Sequence, residues 1–215
     1  TVLSEVEDRT QGINVGADLF LSKPVDYKEL KKQIEFFLSS KKRLQRMDNN
    51  VSICRCLLNI MRRLDRDLYE RAVIAKRYGQ KTAQMLQLSD EAVERTAIGS
   101  ALYDFGRVLG EDEAHWHAAV QVLEPLKNFR DIAPYIQAGR VPHPDLEAAD
   151  RMGLAVVEAV NRYLRLLESV GEEKEALVKL EEEMEGRSMQ MPQLLHTLSQ
   201  VIEDERFMED LGKEG

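Results

Sequence analysis

The stretch AIGSALYDFGRVLGEDEAHWHAAVQVLEPL, residues 97–126, decides how this chain is read. Its spacing predicts two helices joined by an acidic turn. Tyr103 and Asp104 fall in the first helix, and His115 opens the second. Asp and His are metal-ligand types, so whether they hold a metal separates an enzyme from a signalling module. The plainer reading pairs Asp104 with Arg107 or another cation. It makes His115, beside Trp116, a structural or surface histidine.

The surroundings favour helix. Of 215 residues, 43% are hydrophobic and 32% charged, with only 6% aromatic. Ala, Leu, Glu, Lys and Arg are frequent, and each is a good helix former. The net charge is −8 and no long basic run occurs, which argues against nucleic acid as a partner. No apolar run reaches the ~18–20 residues that span a bilayer, so no membrane partner is expected. Cys54 and Cys56 point about 200° apart on a helix and neither close a disulfide nor share a metal. A cytoplasmic location is expected.

From about Asp67 the chain predicts five or more amphipathic helices. Ser89 is a good N-cap, with Asp90 and Glu91 in the first turn at the positive end of the helix dipole. Met152, Val156, Val160, Tyr163, Leu164 and Leu167 form one face of a long helix. Leu177, Leu180 and Met184 mark the next. Leu194, Leu198, Val201 and Ile202 mark the last, with Pro192 in its first turn. Gly171 and Gly186 separate these helices, and an acidic tail over 206–215 is expected to fray.

The first 24 residues differ. Thr1–Ser4 predicts the end of a strand, Glu5–Val15 a short helix, and Leu19–Leu21 a second strand. Asp26 then caps a helix, with Glu29 completing a capping box. Strand–helix–strand–helix suggests a parallel α/β sheet, too small here to bury both of its faces. From Asp26 the helical pattern continues to about Leu68. Leu44, Met47, Val51, Cys54, Leu58 and Met61 alternate spacings of three and four, a coiled-coil seam. That seam serves either a parallel dimer or packing onto the chain's own downstream domain. Asn49 and Asn50 are candidate breaks in it.

The run Gly16-Ala17-Asp18-Leu19-Phe20-Leu21-Ser22-Lys23-Pro24 resembles the end of a response-regulator receiver domain. The resemblance implies that Ser4 is the hydroxyl residue of the fourth strand, Phe20 the aromatic switch and Lys23 the phosphoryl-contacting lysine. The acidic metal-binding residues and the phosphoacceptor of that family lie on earlier strands, which this sequence does not contain.

Residues 67–205 resemble the HD-GYP family of metal-dependent cyclic di-GMP phosphodiesterases. Ala101-Leu102-Tyr103-Asp104-Phe105-Gly106-Arg107-Val108 is similar to the family's His-Asp-Ile-Gly-Lys-Ile run. His115, ten residues before Pro125-Leu126, follows the family's next helix. The resemblance implies that Asp104 and His115 are the vestige of a metal site. The other ligand positions are replaced: Tyr103 stands for the His of the pair, the clustered histidines fall near Ala138, Gly139 and Arg140, and a late Asp falls at Asn161. Arg140 sets a fixed positive charge where a metal belongs. No Gly-Tyr-Pro loop occurs between Arg140 and Ala148.

The expected fold is thus mainly α. A partial receiver (1–40, flavodoxin-like) precedes a linker helix (41–66), an HD-domain-like bundle (67–205) and the acidic tail. The expected function is a response regulator with a degenerate output domain, without catalytic residues, metal or cofactor. It would act through a homodimer on the linker, an unknown downstream protein and, if the receiver is complete, a sensor histidine kinase. The alternatives are a phosphohydrolase using Fe or Mn at Asp104 and His115, or a nucleotide sensor without turnover that uses Arg107 and Arg140.

Overall fold

The structure, a computed structural model, describes residues 49–109, 115–126 and 129–213, with side chains to 205, and the single positions Lys32 and Met47. The chain divides into two compact units, Thr1–Arg46 and Met47–Gly215. The partial receiver expected over 1–40, with Ser4, Phe20 and Lys23, lies outside the described residues apart from Lys32. All other described residues belong to the second unit.

The regular structure of this second unit is helical throughout the described residues. Helix α1 covers residues 49–64. It is followed by α2 (Arg66–Met85), α3 (Asp90–Leu102) and a 3-10 helix (Phe105–Leu109), then by α4 (His115–Leu123) and the short α5 (Ala133–Ile136). Helices α6 (Ala148–Val170), α7 (Glu173–Met184) and α8 (Met191–Lys213) complete the unit. No described helix is long and apolar enough to cross a membrane.

The boundaries follow local chemistry. Asp65 caps α2, its carboxylate accepting from Leu68 N at 2.9 Å. Ser89 caps α3 as expected, its hydroxyl accepting from Ala92 N. Gly171 ends α6 in the left-handed region (φ 77°), where a side chain would be strained, and its N–H closes on Leu167 O. Pro192 lies in the first turn of α8, where no intrahelical N–H is needed. Residues 206–213, in the acidic tail, continue α8.

Two apolar cores flank α2. The first joins Cys54, Leu58 and Met61 of α1 to Leu68, Ala72, Ile98, Leu102 and Phe105. The second joins Ala75 to the predicted faces of α6, α7 and α8, including Val160, Tyr163, Leu180, Met184, Leu194 and Leu198. Helix α2 thus packs on α3, α6 and α8.

Part of the expected linker helix, 41–66, lies among the described residues and packs within the helical unit. Residues 47–64 belong to the helical unit, and Asn49 and Asn50 are both helical, at the start of α1. Cys54, Leu58 and Met61 of the predicted seam are buried in this unit's own core, while Val51, Ile60 and Leu64 are exposed. A buried Leu or Met side chain contributes about 1.5–3 kcal/mol. A dimer along that seam would therefore have to strip this core.

Candidate functional site

The 97–126 stretch supplies the centre of the site, with one correction to its reading. Helix α3 stops at Leu102, so Tyr103 and Asp104 lie in the turn beyond it. The chain then tightens into the 3-10 helix, with Arg107 N bonded to Asp104 O at 3.0 Å. The cause is contact at Gly106: a Cβ there would come within 1.6 Å of the His115 carbonyl oxygen. Only a glycine lets this turn and the start of α4 touch, and that contact brings His115 to Asp104.

Asp104 is 5% exposed and accepts on both oxygens. Arg71 of α2 donates Nη2–H to Oδ2 at 2.7 Å. Arg140, in the turn after α5, donates Nη2–H to Oδ1 at 3.0 Å. His115 Nε2 also lies 3.0 Å from Oδ1. An unprotonated nitrogen would repel the carboxylate there, so this nitrogen carries the proton and donates. The 3.2 Å between Arg140 Nη2 and His115 Nε2 is then close approach between two donors. Arg107, half-exposed, reaches only 4.0 Å from Oδ1.

Arg140 is held by more than the carboxylate. It donates to the carbonyls of Tyr103 at 2.9 Å and Ile136 at 3.2 Å. Its guanidinium carbon stands 3.7 Å from the centroid of the Tyr103 ring, within cation–π range. Gly139, at φ 71°, makes the turn that delivers it. Arg71 turns its other face to Glu168, donating Nη1–H to Oε2 at 3.0 Å.

Burial by itself would push the Asp104 carboxyl up. The hydrogen bond from His115 and the charges of Arg165, Arg71 and Arg107 outweigh it and hold the group well below the usual carboxylate range. Burial also lowers the Arg140 guanidinium, with Tyr103 and Asp104 acting in opposition.

Tyr103, Ala138 and Asn161, expected from the family resemblance as replaced ligand positions, each make identifiable contacts here or nearby. Tyr103 donates its hydroxyl to Ala138 O at 3.2 Å. Ala138 is buried and offers no side-chain donor. Asn161 points its amide at Val157 O (3.0 Å) and Ser100 O (3.3 Å). Tyr103, Asp104, His115, Ala138 and Arg140 are thus brought together, while Asn161 is spent on backbone carbonyls. Among the described residues, no three His, Cys, Asp or Glu side chains converge as a metal ion requires. His117 and His196 are exposed.

Sequence reasoning does not find Arg71 and Arg165, which lie 33 and 61 positions from Asp104 with no local pattern linking them. It also misses a second cluster. Arg95 of α3 donates to Asp150 Oδ1 through Nη2 (2.7 Å) and Nε (3.1 Å), and Tyr135 donates its hydroxyl to the same oxygen at 2.5 Å. Burial, then the bond to Asp150, push the Tyr135 phenol up.

Compared with protein-family models, curated proteins and solved structures, the chain has no significant match in any of the three.

Proposed function

We propose that the helical unit is a catalytically degenerate HD-GYP-like output domain of a signalling response regulator, working through protein–protein or dimer contacts. One observation carries this reading. The guanidinium of Arg140 lies within 3.2 Å of both Asp104 and His115, the two residues of ligand type. A divalent ion there would meet a fixed positive charge at contact distance, and Coulomb repulsion at such range is severe in a site of low dielectric. The residues present therefore do not fit a metal centre of the kind the family uses to polarise a phosphate and activate water. The order of Tyr103-Asp104, His115, Pro125-Leu126 and Asn161 along the chain supports the lineage, and the mainly helical build is compatible with it.

The test is metal analysis of the purified protein together with a cyclic di-GMP hydrolysis assay in added Mn or Fe. The expected result is no stoichiometric metal and no turnover. Stoichiometric metal with turnover abolished by His115→Ala would establish the phosphohydrolase instead.

A further inference from the structure

A cavity of about 320 Å³ opens beside the Asp104 cluster, at the low end of the size range for small-molecule sites. Its lining includes Tyr103, Arg140, Arg162, Arg165 and Glu183. Arg162 and Arg165 are three apart on α6 and share a face. Arg140 meets them from the turn after α5. Within the lining, three guanidinium groups face one carboxylate; Asp104 and Glu158, just outside it, offset Arg140 and Arg162, and Arg165 is left without a counter-charge of its own among the described residues.

The three arginines are not equally satisfied. Arg162 pairs with Glu183 at 2.6 Å and Glu158 at 3.3 Å. Arg140 pairs with Asp104, which also carries the charge of Arg71. Arg165 makes no hydrogen bond or ion pair among the described residues. Its Nε is buried without a partner, and its guanidinium carbon lies 5.2 Å from the Tyr103 ring centroid. A buried donor left unpaired is costly. Arg140 and Arg165 also repel one another, so both gain from an anion between them.

We propose that this cavity binds a phosphate or phosphomonoester group, with Arg165 as its principal donor and Arg140 and Arg162 completing the cradle. Forked donors arriving from two sides suit a tetrahedral dianion better than a planar carboxylate, because each guanidinium can engage a different oxygen. Glu183 opposes an anion at its own edge, which leaves the Arg165 side for the phosphate and a hydrogen-bond acceptor for a hydroxyl of the ester. The site rests on this geometry and does not depend on the lineage proposed above.

Calorimetry on the full chain tests it, using inorganic phosphate and glycerol phosphate at about pH 8, where both are largely dianions, with ionic strength fixed by chloride. Saturable binding is expected. Arg165→Gln should weaken it by about tenfold or more, and Arg165→Lys by less, keeping the charge but not the fork. Arg66→Gln, on the exposed surface of α2, should leave it unchanged. Tighter binding of the ester identifies a small organic phosphate as ligand; equal binding identifies free phosphate, and either supports the site. Should Arg165→Gln fail to fold, Arg165→Lys carries the test. The absence of saturable binding up to about 10 mM of either probe, or binding that both Arg165 variants leave intact, overturns it.

Discussion

Asp104 and Asp150 are two aspartates in one helical unit, and both are held by arginine. Asp150 meets a single guanidinium, Arg95, and one phenol, Tyr135. Its charge is matched one for one, and the triad ties α3, α5 and α6 together. Asp104 meets Arg71, Arg140 and His115 directly, with Arg165 and Arg107 adding their charges. Glu168 shares Arg71, but the guanidinium groups around Asp104 still outnumber these two carboxylates. A balanced cluster is explained by packing alone. An unbalanced one implies either that something was lost from it or that something still binds beside it. The Arg140 guanidinium against Asp104 and His115 supports the first reading, and the unpartnered Nε of Arg165 supports the second.

The comparison is broken most directly by removing each carboxylate in turn. Asp104→Asn strips the shared counter-charge from Arg71 and Arg140 in a buried setting. Loss of one partner of a buried ionic cluster costs about 3–5 kcal/mol, and urea denaturation should show a loss of that size. Asp150→Asn keeps an oxygen for Tyr135 and leaves one arginine, Arg95, that is itself part-exposed. It should cost less, about 1–2 kcal/mol. A larger loss at Asp150 than at Asp104 would mean that the excess charge around Asp104 is screened by solvent and carries no weight.

The sequence and the structure agree where a local pattern is sufficient. The faces of α6, α7 and α8 follow from apolar spacing, and Ser89, Gly171 and Pro192 mark helix ends through their own backbone chemistry. The seam from Met47 to Met61 reads alike for a coiled coil and for a helix buried in its own domain, because both demand apolar residues at three and four. Only the burial of Cys54, Leu58 and Met61 separates them. Spacing alone puts Asp104 inside a helix, because nothing in the sequence shows the close contact at Gly106 that tightens the turn. At the site, Arg140 near Asp104 is legible through a family resemblance. Arg71, Arg165 and the whole Asp150 triad join residues far apart in the chain, and no spacing rule reaches that far. The expected receiver features Ser4, Phe20 and Lys23 lie outside the described residues.

The smallest effect gives the finest test of the contrast, because it reads the field at Asp104 without relying on the total cost of mutation. In the folded protein this carboxyl ionises well below its ordinary value of 3.8. The unfolded chain therefore takes up its proton first as the pH falls. Proton uptake by the unfolded state favours unfolding, so the stability from Asp104 is fully present above the ordinary carboxylate range and declines below it. Asp104→Asn lacks this titration. The stability gap between the two proteins should accordingly narrow on going from pH 5 to pH 3, by about 1 kcal/mol. Denaturant melts of both proteins at the two pH values measure the gap. A gap that stays constant would mean that the folded Asp104 titrates like the unfolded one. The arginines around it would then be neutralised by solvent and by their other partners, and Asp104 would differ from Asp150 in neighbours but not in field.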